Sequence, residues 1–178
     1  MKKIGILGST GSIGTQALKL IDTTTFKIKY LSAYSNFDLL IAQAKKFKPE
    51  SICLVDKSKI ALLKESLNKS KVEILSGVAG LQELASRNNI DLLLNALVGY
   101  SGMLPTLKAI ESGVDVALAN KESLVVGGEI IKNAMDKTNA KLFPVDSEHS
   151  AIWQCLLGEN HNKINKLILT GSGGPFRT

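Results

Sequence analysis

The stretch Lys3-Ile-Gly-Ile-Leu-Gly8-Ser-Thr-Gly11-Ser-Ile-Gly14 decides the fold. A short apolar run ends in glycines spaced three apart, and Ile13–Ile21 then takes helical spacing. That order reads as strand, tight turn, helix. Glycines let the backbone turn sharply and approach a pyrophosphate closely, and Gly14 lets the helix pack on the strand. Amides at the helix start attract phosphate charge. Thr10 and Ser12 add hydroxyl donors. The spacing is GxxGxxG rather than GxGxxG, but the physical demand is similar. In isolation such glycines are a weak signal; between an N-terminal strand and a helix they point to dinucleotide binding, with a purely structural turn as the alternative.

Outward from this unit, apolar runs alternate with helical patterns. Strands are expected at Lys27–Ala33, Ser51–Val55, Val72–Leu75, Asp91–Val98, Val114–Ala119, Lys141–Val145 and Lys166–Thr170. Helices are expected at Phe37–Phe47, Lys57–Ser70, Gly80–Arg87, Leu104–Ser112, Ser123–Lys137 and Ser150–Leu157, with Trp153 in the core. Uniformly apolar strands separated by helices mean a parallel sheet covered on both faces. The fold class is therefore α/β: a doubly wound, mostly parallel sheet of Rossmann type. Ligands of such sheets gather at the carboxyl ends of the strands.

Composition narrows the partners. The chain of 178 residues is 44% hydrophobic and 21% charged, ordinary for a globular protein. Its net charge of +6 lies in the first half, where 13 Lys face 6 acids within residues 1–75. No block of like charge or basic-aromatic run suggests a nucleic-acid surface. Cys53 and Cys155 form no CxxC pair, which argues against a disulfide framework or structural zinc. No run of ~18 apolar residues offers a membrane span, and Met1-Lys-Lys3 precedes too short and glycine-broken an apolar run for a signal peptide. The expected compartment is the cytoplasm.

The second strand bears on the cofactor. NAD sites place an acid there, about 20 residues past the glycines, to accept from the ribose hydroxyls. Here the strand ends Ala33-Tyr34-Ser35-Asn36, with no carboxylate before Asp38. A neutral end favours the 2′-phosphate of NADP, to which Ser35 and Asn36 can donate; ordinary turn residues are the alternative.

Asp146-Ser147-Glu148-His149 follows the strand ending at Val145. In an extended segment, residues i and i+2 project to the same side. Asp146 and Glu148 can then share a hard cation such as Mg or Mn, or form a solvated loop. Asn120-Lys121-Glu122-Ser123 also follows an apolar strand. Ser123 can cap the next helix, and Lys121 can point a cation into the crevice. Thr170-Gly-Ser-Gly-Gly-Pro175 is a turn or an anion-wrapping loop.

Four strings together resemble the 1-deoxy-D-xylulose 5-phosphate reductoisomerase family: Gly5–Gly14, Leu118-Ala-Asn-Lys-Glu-Ser-Leu-Val125, Pro144-Val-Asp-Ser-Glu-His149 and Leu169-Thr-Gly-Ser-Gly-Gly-Pro-Phe-Arg177. The resemblance spans essentially the whole chain. It implies an enzyme that rearranges a sugar phosphate and reduces it with NADPH, using Mg or Mn, on the route to isoprenoids. It places Thr10, Gly11, Ser12, Ile13, Tyr34, Ser35, Asn36, Asn120 and Glu122 around NADPH. Lys121, Ser147, Glu148 and Ser172 would meet substrate, with Lys121 and Glu148 catalytic. Asp146 and Glu148 would bind the metal. The whole protein is expected to be a homodimer without nucleic-acid or membrane partners.

On this reading residues 1–145 form the NADPH-binding domain and 146–178 the start of a catalytic domain. Family members run well beyond Thr178, so the chain is expected to bind cofactor without turnover. One departure stands out: the turn that often carries a lysine in the family reads Tyr34-Ser35-Asn36. The competing readings are another NADP reductase, of the aspartate-semialdehyde or dihydrodipicolinate type, and a redox-sensing module that binds cofactor without turnover.

Overall fold

The computed structural model describes residues 1–159 and 163–168. Seven strands form one sheet: β1 (Lys2–Leu7), β2 (Phe26–Ala33), β3 (Ser51–Leu54), β4 (Glu73–Ser76), β5 (Leu92–Asn95), β6 (Asp115–Leu118) and β7 (Leu142–Pro144). Every pairing is parallel, and the order is β4-β3-β2-β1-β5-β6-β7. The chain thus winds outward from β1 to β4, then crosses back to β5 on the other side of β1. The loops after β1 and β5 diverge at this switch point, where doubly wound sheets hold their ligands.

Among the described residues, seven helices cover the sheet: α1 (Ser12–Leu20), α2 (Phe37–Phe47), α3 (Ile60–Ser66), α4 (Gly77–Ser86), α5 (Met103–Glu111), α6 (Glu122–Met135) and α7 (Ser147–Cys155). The strands' twofold alternation builds two cores. Ile4, Ile6, Ile52, Leu54 and Leu94 face Leu18, Leu40 and Leu63 of α1, α2 and α3. Leu7, Cys53, Leu93, Val116 and Leu118 face Leu84, Ile110 and Ile131 of α4, α5 and α6. Burial on both faces explains why the strands read as continuous apolar runs. It also pushes the Cys53 thiol up to about 12, so this cysteine is inert packing.

Several expectations change. The helix expected over Lys57–Ser70 is a 3-10 turn, Lys57–Lys59, followed by α3, because Asp56 caps the turn by accepting from Ser58 N at 3.0 Å. The strand expected to Val98 stops at Asn95, and the chain enters a 3-10 turn, Gly99–Gly102. The helix expected from Ser150 begins at Ser147. Trp153 is 42% exposed rather than core; its packing partner is Phe143, edge-on at 6.5 Å. Residues 163–168 carry no strand, while Leu169 and Thr170 lie outside the described residues.

Candidate functional site

The glycine loop is held from beneath. Gly8 lies in the left-handed region at φ +77°, and a Cβ there would stand 2.5 Å from the Ala96 carbonyl oxygen. A Cβ on Gly14 would stand 2.6 Å from Ser9 Cα, so α1 can approach the loop only as glycine. Three buried polar side chains then fix the loop. Ser32 Oγ accepts from Gly8 N at 3.0 Å, Ser9 Oγ donates to Gln43 Oε1 at 2.6 Å, and Gln43 Nε2 donates to Ser9 O at 2.8 Å. This network was missed in the sequence. Its signals were a serine inside apolar β2 and a glutamine on the inner face of α2.

No side chain caps α1 and no acid lies in its first turn, so its leading amides face outward beside Thr10 and Gly11 with no competing negative charge. Gly11 at φ −77° needs no glycine for its conformation; a Cβ there would meet only the Gly8 carbonyl, at 3.3 Å. The loop opens onto a cleft of about 690 Å³ over the carboxyl ends of the strands. Thr10, Gly11 and Tyr34 line one side, and Leu97, Val98 and Tyr100 the other. Val98 and Tyr100 are 91% and 76% exposed, apolar groups presented on a loop rather than packed away.

That opposite wall is clamped by two asparagines at the ends of neighbouring strands. Asn95 is fully buried, and its Nδ2 donates to Gly102 O and Thr106 Oγ1, both at 2.8 Å. Asn120 is 2% exposed; its Nδ2 donates to Leu97 O at 2.7 Å and to Gly99 O, while its Oδ1 accepts from Ser123 N at 2.9 Å and from Ser123 Oγ. This corrects one expectation: Asn120, not Ser123, caps the start of α6. The Asn120 amide is engaged on both its oxygen and its nitrogen within the chain. Of the turn after β2, Tyr34 is 74% exposed on the cleft, and Asn36 caps α2 by accepting from Leu39 N at 3.2 Å, which leaves its amide nitrogen as a donor. Ser12 and Ile13 open α1, and Glu122 stands exposed in the first turn of α6.

The carboxylate pair is not in an extended segment. Asp146 sits at the N-cap of α7 and Ser147 and Glu148 in its first turn, where an acid suits the positive helix end. Asp146 makes no capping bond. Its Oδ1 instead lies 3.0 Å from His149 Nδ1, and its Oδ2 lies 3.4 Å from Lys121 Nζ. Lys121 also donates to Glu148 Oε2 at 3.3 Å. The His149 hydrogen bond first, with help from Glu148 and Lys121, holds the Asp146 carboxyl down at about 2. Glu148 first, then Asp146, raises Lys121 above its ordinary value. Two carboxylates thus already converge on one cation, although the i, i+2 argument that brought them together does not hold. Ser172 lies outside the described residues.

The sequence matches known proteins along its length. Residues 4–128 match the family described as 1-deoxy-D-xylulose 5-phosphate reductoisomerase, and residues 142–178 match that enzyme's C-terminal domain. The reductoisomerase of Bacteroides fragilis is 50% identical over 179 residues, which cover 99% of this chain and 46% of that protein. The structure of the Zymomonas mobilis reductoisomerase in complex with NADPH matches with a TM-score of 0.93 at 40% identity, over 99% of this chain and 47% of that one. A DOX-P reductoisomerase solved with NADPH, fosmidomycin and magnesium matches with a TM-score of 0.83 at 38% identity, over 87% of this chain and 39% of that one. This chain therefore spans about half the length of the curated relatives it matches. By sequence and by fold, the chain belongs to the 1-deoxy-D-xylulose 5-phosphate reductoisomerase family.

Proposed function

We propose that this chain carries the NADPH site and part of the metal and substrate site of an enzyme that isomerises 1-deoxy-D-xylulose 5-phosphate and reduces it to 2-C-methyl-D-erythritol 4-phosphate. The carrying observation is the uncapped, acid-free start of α1, which opens beside Gly11 onto the cleft at the sheet's switch point. Thr10, Gly11, Ser12 and Ile13 hold the cofactor phosphates there. Tyr34, Ser35 and Asn36 form the 2′-phosphate turn, which itself carries no carboxylate. Asn120 and Glu122 also line the cofactor site, and Asn120 clamps its wall as well. Related structures solved with NADPH and with magnesium support a reading with those two ligands.

The residues fit a divalent metal at Asp146 and Glu148, because the Lys121 ammonium already stands between one oxygen of each. A bound Mg or Mn supplies charge that stabilises negative oxygen developing on a substrate. Lys121, Ser147, Glu148 and Ser172 meet the sugar phosphate, with Lys121 and Glu148 catalytic. Residues 1–145 serve as the cofactor domain and 146–178 open the catalytic one. Among the described residues no helix is long and apolar enough to cross a membrane. The whole protein is read as a cytoplasmic homodimer whose partners are small molecules, not nucleic acid. Another NADP reductase is less favoured, because it gives no reason for Lys121, Asp146 and Glu148 to converge.

The test is to express the longest reading frame containing this sequence and to follow NADPH oxidation with 1-deoxy-D-xylulose 5-phosphate and Mg or Mn. Metal-dependent turnover that collapses in Asp146→Asn and Glu148→Gln, with NADPH affinity unchanged, supports the reading. Turnover indifferent to both substitutions removes the metal assignment.

A further inference from the structure

We propose that Lys121 is the resident counter-cation of the Asp146–Glu148 pair, and that a divalent metal enters by displacing its ammonium. The ammonium and the metal are then alternative occupants of the same two oxygens, so Lys121 weakens metal binding until it is drawn away. The inference rests on the reading of Asp146 and Glu148 as metal ligands and goes beyond it.

Three observations carry it. Lys121 Nζ stands 3.4 Å from Asp146 Oδ2 and 3.3 Å from Glu148 Oε2, one oxygen of each carboxylate. The other Asp146 oxygen is engaged by His149 at 3.0 Å, so Oδ2 is the oxygen left to face a cation. Lys121 also occupies the N-cap of α6, the helix end where the dipole disfavours positive charge. A lysine there gains nothing from its own helix, and the carboxylates of α7, 25 and 27 residues later, supply its compensation.

A metal at these oxygens needs ligand distances near 2.0–2.1 Å for Mg. An ammonium between the same oxygens and a divalent ion repel each other, so both cannot stay. Once released, the side chain is free to swing toward a negative group of a bound ligand. Its tether is the α6 N-terminus, adjacent to Asn120 and hence to the clamped cleft wall.

The experiment is a Mn titration of the protein expressed from the longest reading frame containing this sequence, at fixed neutral pH, reading free Mn from its electron paramagnetic resonance signal. Lys121→Met should bind Mn about tenfold more tightly than the unaltered chain, because a repelling unit charge is removed at contact distance. Lys121→Arg, which keeps the cation, should bind no more tightly than the unaltered chain. Adding Asp146→Asn to Lys121→Met should abolish the gain. Equal or weaker binding by Lys121→Met overturns the displacement and leaves the metal reading standing. A tightened site indifferent to both Asp146→Asn and Glu148→Gln, or no Mn binding by any form, overturns the metal reading itself. Circular dichroism melts of each variant confirm that the compared proteins are folded.

Discussion

Asn120 Nδ2 donates to the Leu97 carbonyl at 2.7 Å, tying the end of β6 to the loop that leaves β5. One side chain thereby joins the start of α6, next to the Lys121–Asp146–Glu148 cluster, to the apolar wall of the cofactor cleft. Asn120→Ala leaves the Leu97 and Gly99 carbonyls and the start of α6 without partners. Each unmet buried group costs about 1–3 kcal/mol. Denaturant unfolding should therefore show a loss of about 2–4 kcal/mol. NADPH affinity should fall in the protein that remains folded. Unchanged stability would show that the clamp is not a determinant of the fold.

Two glycines separate structure from binding. Gly14→Ala drives a methyl into the backbone at Ser9, and neither side can give way. It should destabilise the chain by about 2–3 kcal/mol or prevent folding. Gly11→Val meets only the Gly8 carbonyl, at 3.3 Å, so the fold should survive. Its side chain fills the space a pyrophosphate needs, and NADPH affinity should drop on the order of a hundredfold. A folded Gly11→Val chain with unaltered affinity would reduce the glycine loop to a turn.

The proposed 2′-phosphate turn at the end of β2 is tested by charge. Ser35→Asp places a carboxylate in that turn, and should cut the NADPH-to-NADH affinity ratio by about tenfold. Fluorescence titration with both nucleotides measures it. A ratio unmoved by the substitution would place the 2′-phosphate elsewhere.

Acid sensitivity has a definite sign. The Arg87 guanidinium first, then the Ser51 hydroxyl, holds Glu73 below the ordinary carboxylate value. Arg87 Nη1 donates to Glu73 and to Ser51, each at 2.8 Å. Asp22, Glu50 and Asp56 are lowered as well. A depressed value in the folded state contributes stability that is present above the unfolded value, about 4.3 for Glu, and is lost as pH falls through the folded value. Melting temperature should hold from neutral pH to about 5 and decline below about 4. Arg87→Met should lower it more at neutral pH than at pH near 2. A penalty independent of pH would exclude this ion pair as its source.

The alternation of strands and helices and the glycine loop were legible because both follow from local pattern: apolar runs, turn residues and a helix start. The site was less legible where tertiary partners set the geometry. Asp146 and Glu148 do come together around Lys121, but not through i, i+2 spacing in an extended segment, since β7 stops at Pro144 and α7 begins two residues after Val145. Nothing local signals that Asp146 gives up its cap to bond His149 and Lys121. Nothing local to Asn95 or Asn120 signals what they fasten, which only the fold shows. Trp153 followed a helical pattern, but among the described residues little covers that face of α7 beyond Phe143.

The α1 start and its cleft are the proposed NADPH site of this chain. The most direct measurement is calorimetric titration of the 178-residue protein with NADPH and NADH, with Gly11→Val alongside. One NADPH per chain is expected, with weaker NADH and NADPH binding by folded Gly11→Val weakened on the order of a hundredfold. NADPH binding that is absent, or equal in the unaltered chain and in folded Gly11→Val, would contradict it.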